Sequence, residues 1–406
     1  MIAEPPQSSG TDTAAAARRA AGRLVGGVLV ASLSAWVGLV AALFGLHAFA
    51  PTRLPVVDFV VPDPALGWRH GADLDLLFYD EERVARILTS AAGFRIGGES
   101  VPDSTAHTDL ALAVLGDSFT FAGQVHWPQT FPALVGDRVA ACRGQQVRVH
   151  NFGVAGYGAV QEWQLYRGAV APLAADLVLV AFFGNDVADD LPPGSERSRA
   201  ALDGAGRPWA VTDVAGIPQP VGPDPGEGFR VAQPLRVVVG TARRAADRLW
   251  MAFSDVTHPA AATLAASGLA AATDSTSPEG RRLGVTEPPP GWSVTAAVLK
   301  ALLAEIAAAG SQAVLVHIGH PAAVERGLAH PFVDESLTAA VATEAGALFV
   351  PLESAFRRYR HATGDALHLL GGMGHWNERG HALAAELIGR ALCDSDASQN
   401  PVPSPR

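Results

Sequence analysis

The sequence predicts an α/β domain built on a doubly wound parallel sheet of about five strands. Two observations carry that expectation. Short apolar runs without polar alternation recur at 110–115 and 177–183, as strands covered on both faces require, and helical stripes separate them. Glycine and polar residues follow these runs at once, Gly116-Asp117-Ser118 after the first and Gly184-Asn185-Asp186 after the second. In open α/β sheets this carboxyl edge is where ligands bind.

Taken in order, residues 1–21 are rich in Ala, Ser, Thr and Pro and read as disordered, so 1–23 form an N-terminal tail. Residues 24–46 carry no charge, and a helix needs roughly 20 apolar residues to cross a bilayer, so this run reads as a single transmembrane anchor. Arg18, Arg19 and Arg23 precede it and only Arg53 follows closely, which keeps the tail cytoplasmic and sends the rest of the chain outside, to the periplasm or beyond. A cleaved signal peptide ending at Ala48-Phe49-Ala50 is the rival, opposed by Pro51 and by the length of the run.

Residues 51–109 form a lead-in in which Trp68 and Phe94 are expected to cover the sheet edge and Arg95 to pair with a carboxylate. The core spans 110–393. After the first strand, Phe131, Leu134, Val135 and Val139 place an apolar stripe on a helix over 129–142. Strand 147–151, helix 161–170 and strand 177–183 come next. Helix 293–309 is ended by Gly310, then strand 313–318, helix 335–345 and strand 348–351 complete the alternation. Residues 191–291 interrupt it with Pro, Gly and Asp, leaving one amphipathic helix near 234–253; such an insertion beside the site is a substrate-covering cap or a spacer. Residues 394–406 read as an unstructured tail.

Composition narrows the function. A net charge of −10 with no basic stripe argues against nucleic acid as a partner. Two cysteines make no zinc cluster and no His-Glu-x-x-His helix is present, so neither metal nor other cofactor is expected.

The motif GDSFTF at 116–121 resembles the first block of the SGNH (GDSL-type) hydrolases. NFGVAGYG at 151–158, FGND at 183–186 and HWNERGH at 375–381 resemble the family's later blocks, in order. Residues 61–69 and 89–95 resemble the lead-in of membrane-anchored bacterial members. The resemblance implies an SGNH hydrolase-like fold with Ser118 as nucleophile and His375 as its base. It also implies an oxyanion hole from the N–H of Ser118, the N–H of Gly156 and the side-chain amide of Asn185. Bland alternatives are a turn glycine at 156 and a loop cap at 185. The implied activity is ester hydrolysis through an acyl-serine, on O-acyl groups such as O-acetyl of an envelope or exported glycan. Alternatives are an O-acetyltransferase to a glycan hydroxyl and an inactive glycan-binding or scaffold protein.

The family carries an aspartate two or three residues before the histidine, where this chain has Met373 and Gly372. The nearest upstream carboxylate is Asp365. A Ser118–His375 dyad, a triad completed by Asp365, and a dead domain all remain open. Asp117 and Asp186 are expected to bond local backbone, His317 and His320 to line the pocket, His381 to pack the last helix, and Trp376 and Asn377 to fix the histidine loop. In a flavodoxin-like strand order the first and last core helices cover one face, so Cys142 and Cys393 are either disulfide-bonded or two buried thiols.

Overall fold

The computed structural model describes residues 59–79, 83–97, 110–192, 208–213, 215–221, 264–273, 288–328, 333–369 and 374–399, with scattered positions between 27 and 38. The chain divides into two units, Met1–Val57 and Asp58–Arg406. In the first, Gly27, Val30, Ser32 and residues 34–38 are helical and exposed. The rest of the expected tail and anchor lies outside the described residues, among which no helix is long and apolar enough to cross a membrane.

The second unit is built on five parallel strands: β1 (Leu110–Gly116), β2 (Val147–Gly153), β3 (Leu177–Phe183), β4 (Gln312–Ile318) and β5 (Leu348–Pro351), in the order β5-β4-β3-β1-β2. Alternate side chains leave each strand on opposite faces, which divides the core in two. Leu112, Val114, Leu179 and Val316 meet helices α1 (Phe131–Arg143), α5 (Leu352–Thr363) and α6 (Glu378–Gln399) on one face. Leu115, Val180, Phe182 and Leu315 meet α2 (Ala159–Leu165), α3 (Trp292–Ala308) and α4 (Glu335–Ala345) on the other. Because β3 is buried at every position, its apolar run needs no polar alternation.

Differences from the sequence reading have local causes. Helix α1 starts at Phe131 because Trp127–Gln129 winds into a separate tight turn, and Thr130 then caps the helix by accepting from Ala133 N. The second helix ends at Leu165 and continues as a wider π turn over Tyr166–Val170. Helix α6 runs to Gln399, so the first residues of the expected tail are helical, while 400–406 lie outside the described residues. Cys142 on α1 and Cys393 on α6 are joined in a disulfide, with Cα atoms 6.2 Å apart. Of the two cysteine readings the bonded one holds, because the strand order puts both helices on one face.

From Asp58 on, the lead-in belongs to the same compact unit. Asp63 Oδ1 accepts from the N–H of Ala65 and Leu66, closing an antiparallel hairpin between Val60–Asp63 and Gly67–His70. Asp75–Tyr79, Val84–Thr89 and Arg95–Ile96 form a second antiparallel sheet. Trp68 is buried and donates to Ala155 O, and Phe94 packs edge-on to Phe152 at 4.7 Å, as expected of sheet-edge cover. Arg95 departs from expectation: its partners are backbone carbonyls, not a carboxylate. The insertion supplies a hairpin, Trp209–Thr212 with Pro218–Val221, packed on α3, and a helix, Ala266–Thr273, packed on α5. Its expected helix near 234–253 lies outside the described residues.

Candidate active site

The sheet register brings three of the expected residues to one edge. Gly116 of β1 stands opposite Gly153 of β2 and Ala181 of β3, so Ser118, Gly156 and Asn185 follow neighbouring strands at their carboxyl ends. Ser118 opens a single helical turn, Ser118–Phe121, capped by Asp117, whose Oδ1 accepts from Phe119 N at 2.8 Å. Ala122, at φ 55°, ends the turn in a left-handed conformation. Asn151 ties the turn to β2: Nδ2 donates to Thr120 O at 2.8 Å while Oδ1 accepts from Gly153 N at 2.8 Å. Gly153 leaves no room for a side chain, since a Cβ there would stand 2.3 Å from Phe121 N.

His375 arrives from far along the chain and places Nε2 2.8 Å from Ser118 Oγ. Its loop is held by backbone pairing. Leu369 N donates to His375 O at 2.8 Å, and Asn377 N donates to Leu367 O at 3.0 Å. Glu325 anchors the other side of that pairing, its Oε1 accepting from Leu367 N, His368 N and His368 Nδ1 at 2.7, 2.9 and 2.9 Å. Its Oε2 accepts from Arg360 Nε at 2.9 Å. Burial pushes the Glu325 carboxyl up, but the hydrogen bonds from His368 and from the Leu367 and His368 N–H groups outweigh it and hold it below the usual range.

Trp376 and Asn377 fix this loop as expected. Trp376 is buried against Phe119, Phe356 and Phe131, with ring centres at 5.1, 5.3 and 5.7 Å. Asn377 donates to Ala366 O and accepts from Arg379 N and Gly380 N, which starts α6. His381 packs that helix: its Nδ1 accepts from Phe131 N, and burial, with Arg95, pushes the imidazole down to about 3. Two histidines six residues apart thus differ in kind, one facing a serine hydroxyl and the other sealed in the core.

Asp365 makes no hydrogen bond to His375. Tyr359 Oη donates to it at 3.5 Å and Arg379 pairs with it at 3.5 Å, so the expectation of a substitute acid meets a carboxylate engaged elsewhere. Gly372 and Met373 lie outside the described residues. His317 is buried, with Nδ1 3.0 Å from Thr338 Oγ1, and belongs to the core rather than to a pocket wall. His320 caps Pro321–Arg326 by accepting from Ala322 N, and its ring lies parallel to Phe183. Among the described residues no group of His, Cys, Asp or Glu is placed to hold a metal ion.

Gly156 has φ 81°, a left-handed geometry in which a side chain is strained, and it follows β2 beside the serine turn. Asn185 is buried, and its Nδ2 donates to Asp189 Oδ2 at 3.1 Å, which fixes the orientation of the amide. The sequence reading missed what lies behind these residues. Asp117, Glu162, Asp186, Asp189 and Asp190 are all buried together at the edge. Asp190 accepts from Val160 N and Thr295 Oγ1, and Asp186 from Phe183 N, as the local backbone role expected for Asp186 requires. Burial first, then the neighbouring charges of Asp117 and Asp190, pushes the Glu162 carboxyl well above the usual range. Asp186 is pushed up by burial and then by Glu162, Asp117, Asp190 and Asp189. The signal available in the sequence was the spacing of Asp186, Asp189 and Asp190, one turn apart behind a strand.

No family model and no curated protein matches the chain. Solved structures similar to it include TesA, at 14% identity over 70% of this chain and 97% of that one, TM-score 0.36. A catalytic mutant of Axe2, an acetylxylan esterase from Geobacillus stearothermophilus, aligns at 12% identity over 70% and 94%, TM-score 0.38. A two-domain esterase active on acetylated mannans aligns at 12% identity over 73% of this chain and 52% of that one, TM-score 0.37. At such scores the likeness carries no functional argument, which rests on the geometry of the site.

Proposed function

We propose that this chain is a serine ester hydrolase of SGNH type. The observation that carries the reading is the 2.8 Å approach of His375 Nε2 to Ser118 Oγ at the carboxyl edge of the sheet. For Ser118 Oγ–H to donate, Nε2 must be the unprotonated nitrogen and the ring proton must sit on Nδ1. Ser118 Oγ then attacks the acyl carbon while its proton passes to His375 Nε2. The oxyanion faces the N–H of Ser118, the N–H of Gly156 and the amide of Asn185, and losing one such donor costs about 3 to 4 kcal/mol of transition-state stabilisation. The alcohol leaves with the proton from His375, and water, activated by the same nitrogen, releases the acid.

The substrates we assign are O-acyl groups, O-acetyl among them, on an envelope or exported glycan, reached by an extracytoplasmic domain behind a single-pass anchor at 24–46. The disulfide between Cys142 and Cys393 supports an oxidising compartment. The charge-free run at 24–46 supports the anchor.

Turnover of p-nitrophenyl acetate by the full-length chain tests the reaction. Ser118→Ala should lower kcat by about 10⁴-fold or more. A parent protein without turnover would remove the enzyme and leave a glycan-binding module. Glycan O-acetyl content that falls on adding the protein supports the hydrolase; content that rises with an acetyl donor present would make it a transferase.

A further inference from the structure

Arg95 lies on the lead-in strand Arg95–Ile96 and is 1% exposed. Its Nη1 donates to Phe121 O at 2.7 Å and also to Ala122 O, and its Nη2 donates to Val125 O at 2.7 Å. The guanidinium carbon stands 5.5 Å from the centre of the Phe121 ring. Burial pushes the group down to about 9, which leaves it charged at neutral pH.

Burying a cation without a counter-ion is unfavourable, so what the charge holds matters. It holds the end of the turn that begins at Ser118. A four-residue helix has no stability of its own, and its last carbonyls lack helical partners. Here Thr120 O is taken by Asn151, and Phe121 O and Ala122 O by the Arg95 fork. Phe121 N donates to Asp117 O and Ala122 N to Ser118 O, both at 2.9 Å. A grip on residues 121 and 122 is therefore a grip on the backbone of residues 117 and 118, one helical turn away. It also keeps Ala122 left-handed without a glycine.

We propose that Arg95 is a positioning residue for Ser118, so that a cation donated by the lead-in sets the aim of the nucleophile toward His375. The inference rests on Ser118 acting as the nucleophile. Misplacing a reacting atom by about 1 Å costs on the order of 10²-fold in rate. Arg95 touches no reacting atom, so its loss should appear in kcat and in the rate of serine modification rather than in KM.

The test is covalent labelling of the full-length chain with a fluorophosphonate probe, alongside p-nitrophenyl acetate kinetics, for the parent, Arg95→Lys and Arg95→Ala. Arg95→Lys keeps the charge but not the fork, and should label about 10- to 100-fold more slowly with KM within twofold and an unfolding transition still present. Ethylguanidinium added to Arg95→Ala should restore part of the labelling rate, which a loss confined to folding would not allow. If the parent labels at Ser118 and Arg95→Lys labels within twofold of it, the positioning role is overturned while the esterase reading stands. If the parent itself fails to label, the nucleophile assignment falls and this inference falls with it.

Discussion

The two halves of the Ser118–His375 pair are held by different means. On the serine side, three side chains from separate segments, Asp117, Asn151 and Arg95, seize the N–H groups and consecutive carbonyls of one short turn. On the histidine side, backbone pairing within residues 367–377 does the work, with Glu325 gripping one end of it. The serine turn is tied to distant strands by Asn151 and Arg95, whereas the described bonds of the histidine loop beyond Glu325 are short-range, made by its backbone ladder and by Asn377, with Trp376 packed against three rings. Local openings should therefore begin at the histidine loop.

Glu325→Ala should produce the largest change. It removes the acceptor of Leu367 N, His368 N and His368 Nδ1 and the carboxylate partner of Arg360, whose Nη1 still donates to Gly364 O. We expect a loss of about 2 to 4 kcal/mol in stability, with ester turnover falling tenfold or more. Thermal unfolding and steady-state kinetics check both; a variant with parental kcat would show that the loop is not the weaker half.

His70→Phe probes the serine side through pH. The ring of His70 packs at a tilt against Phe121 at 4.3 Å and stacks on Phe59 at 4.7 Å, and both ring nitrogens lack hydrogen-bond partners. Burial, then the charge of Arg95, pushes it from 6.5 down to about 3. Below pH 6.5 the unfolded chain takes up a proton that the folded one refuses, so stability is lost as pH falls from about 6.5 toward 3. The phenylalanine variant has no such proton. Its melting temperature should gain steadily on the parent's across that window and keep a constant offset above it.

The smallest change is expected at Asp365. Asp365→Asn should stay within about twofold in kcat, because its partners are Tyr359 and Arg379. Met373→Asp, which puts a carboxylate where SGNH hydrolases carry one, should raise turnover severalfold. Unchanged rates with Met373→Asp and lost activity with Asp365→Asn would restore the substituted triad.

Strands β1, β3 and β4 were legible because burial on both faces leaves nearly continuous apolar runs, whereas β2 and β5, partly exposed at the sheet edges, were placed by the alternation of strands and helices. Their edge residues followed from the strand ends. Helix α5 was missed although Leu352, Ala355, Phe356 and Tyr359 form an apolar stripe at helical spacing, because Arg and His fill the positions between. Arg95 was misread for a different reason: sequence shows charges but not backbone carbonyls, so a buried cation suggests a carboxylate by default. The acidic group around Glu162 was hidden likewise, since Asp186, Asp189 and Asp190 look like ordinary turn residues until the fold buries them.

The bond between Cys142 and Cys393 closes a ring of chain that includes the insertion at 191–291 and His375 but leaves Ser118 outside it. A protease that cuts once within the insertion would separate β1, β2 and β3 from β4 and β5 along the chain, yet the two fragments would stay covalently joined through α1 and α6. Ser118 and His375 would then sit on different polypeptides and still travel as one molecule, coming apart only under reducing conditions. In a compartment rich in proteases, that link turns the longest interruption of the fold into a site where damage is survivable.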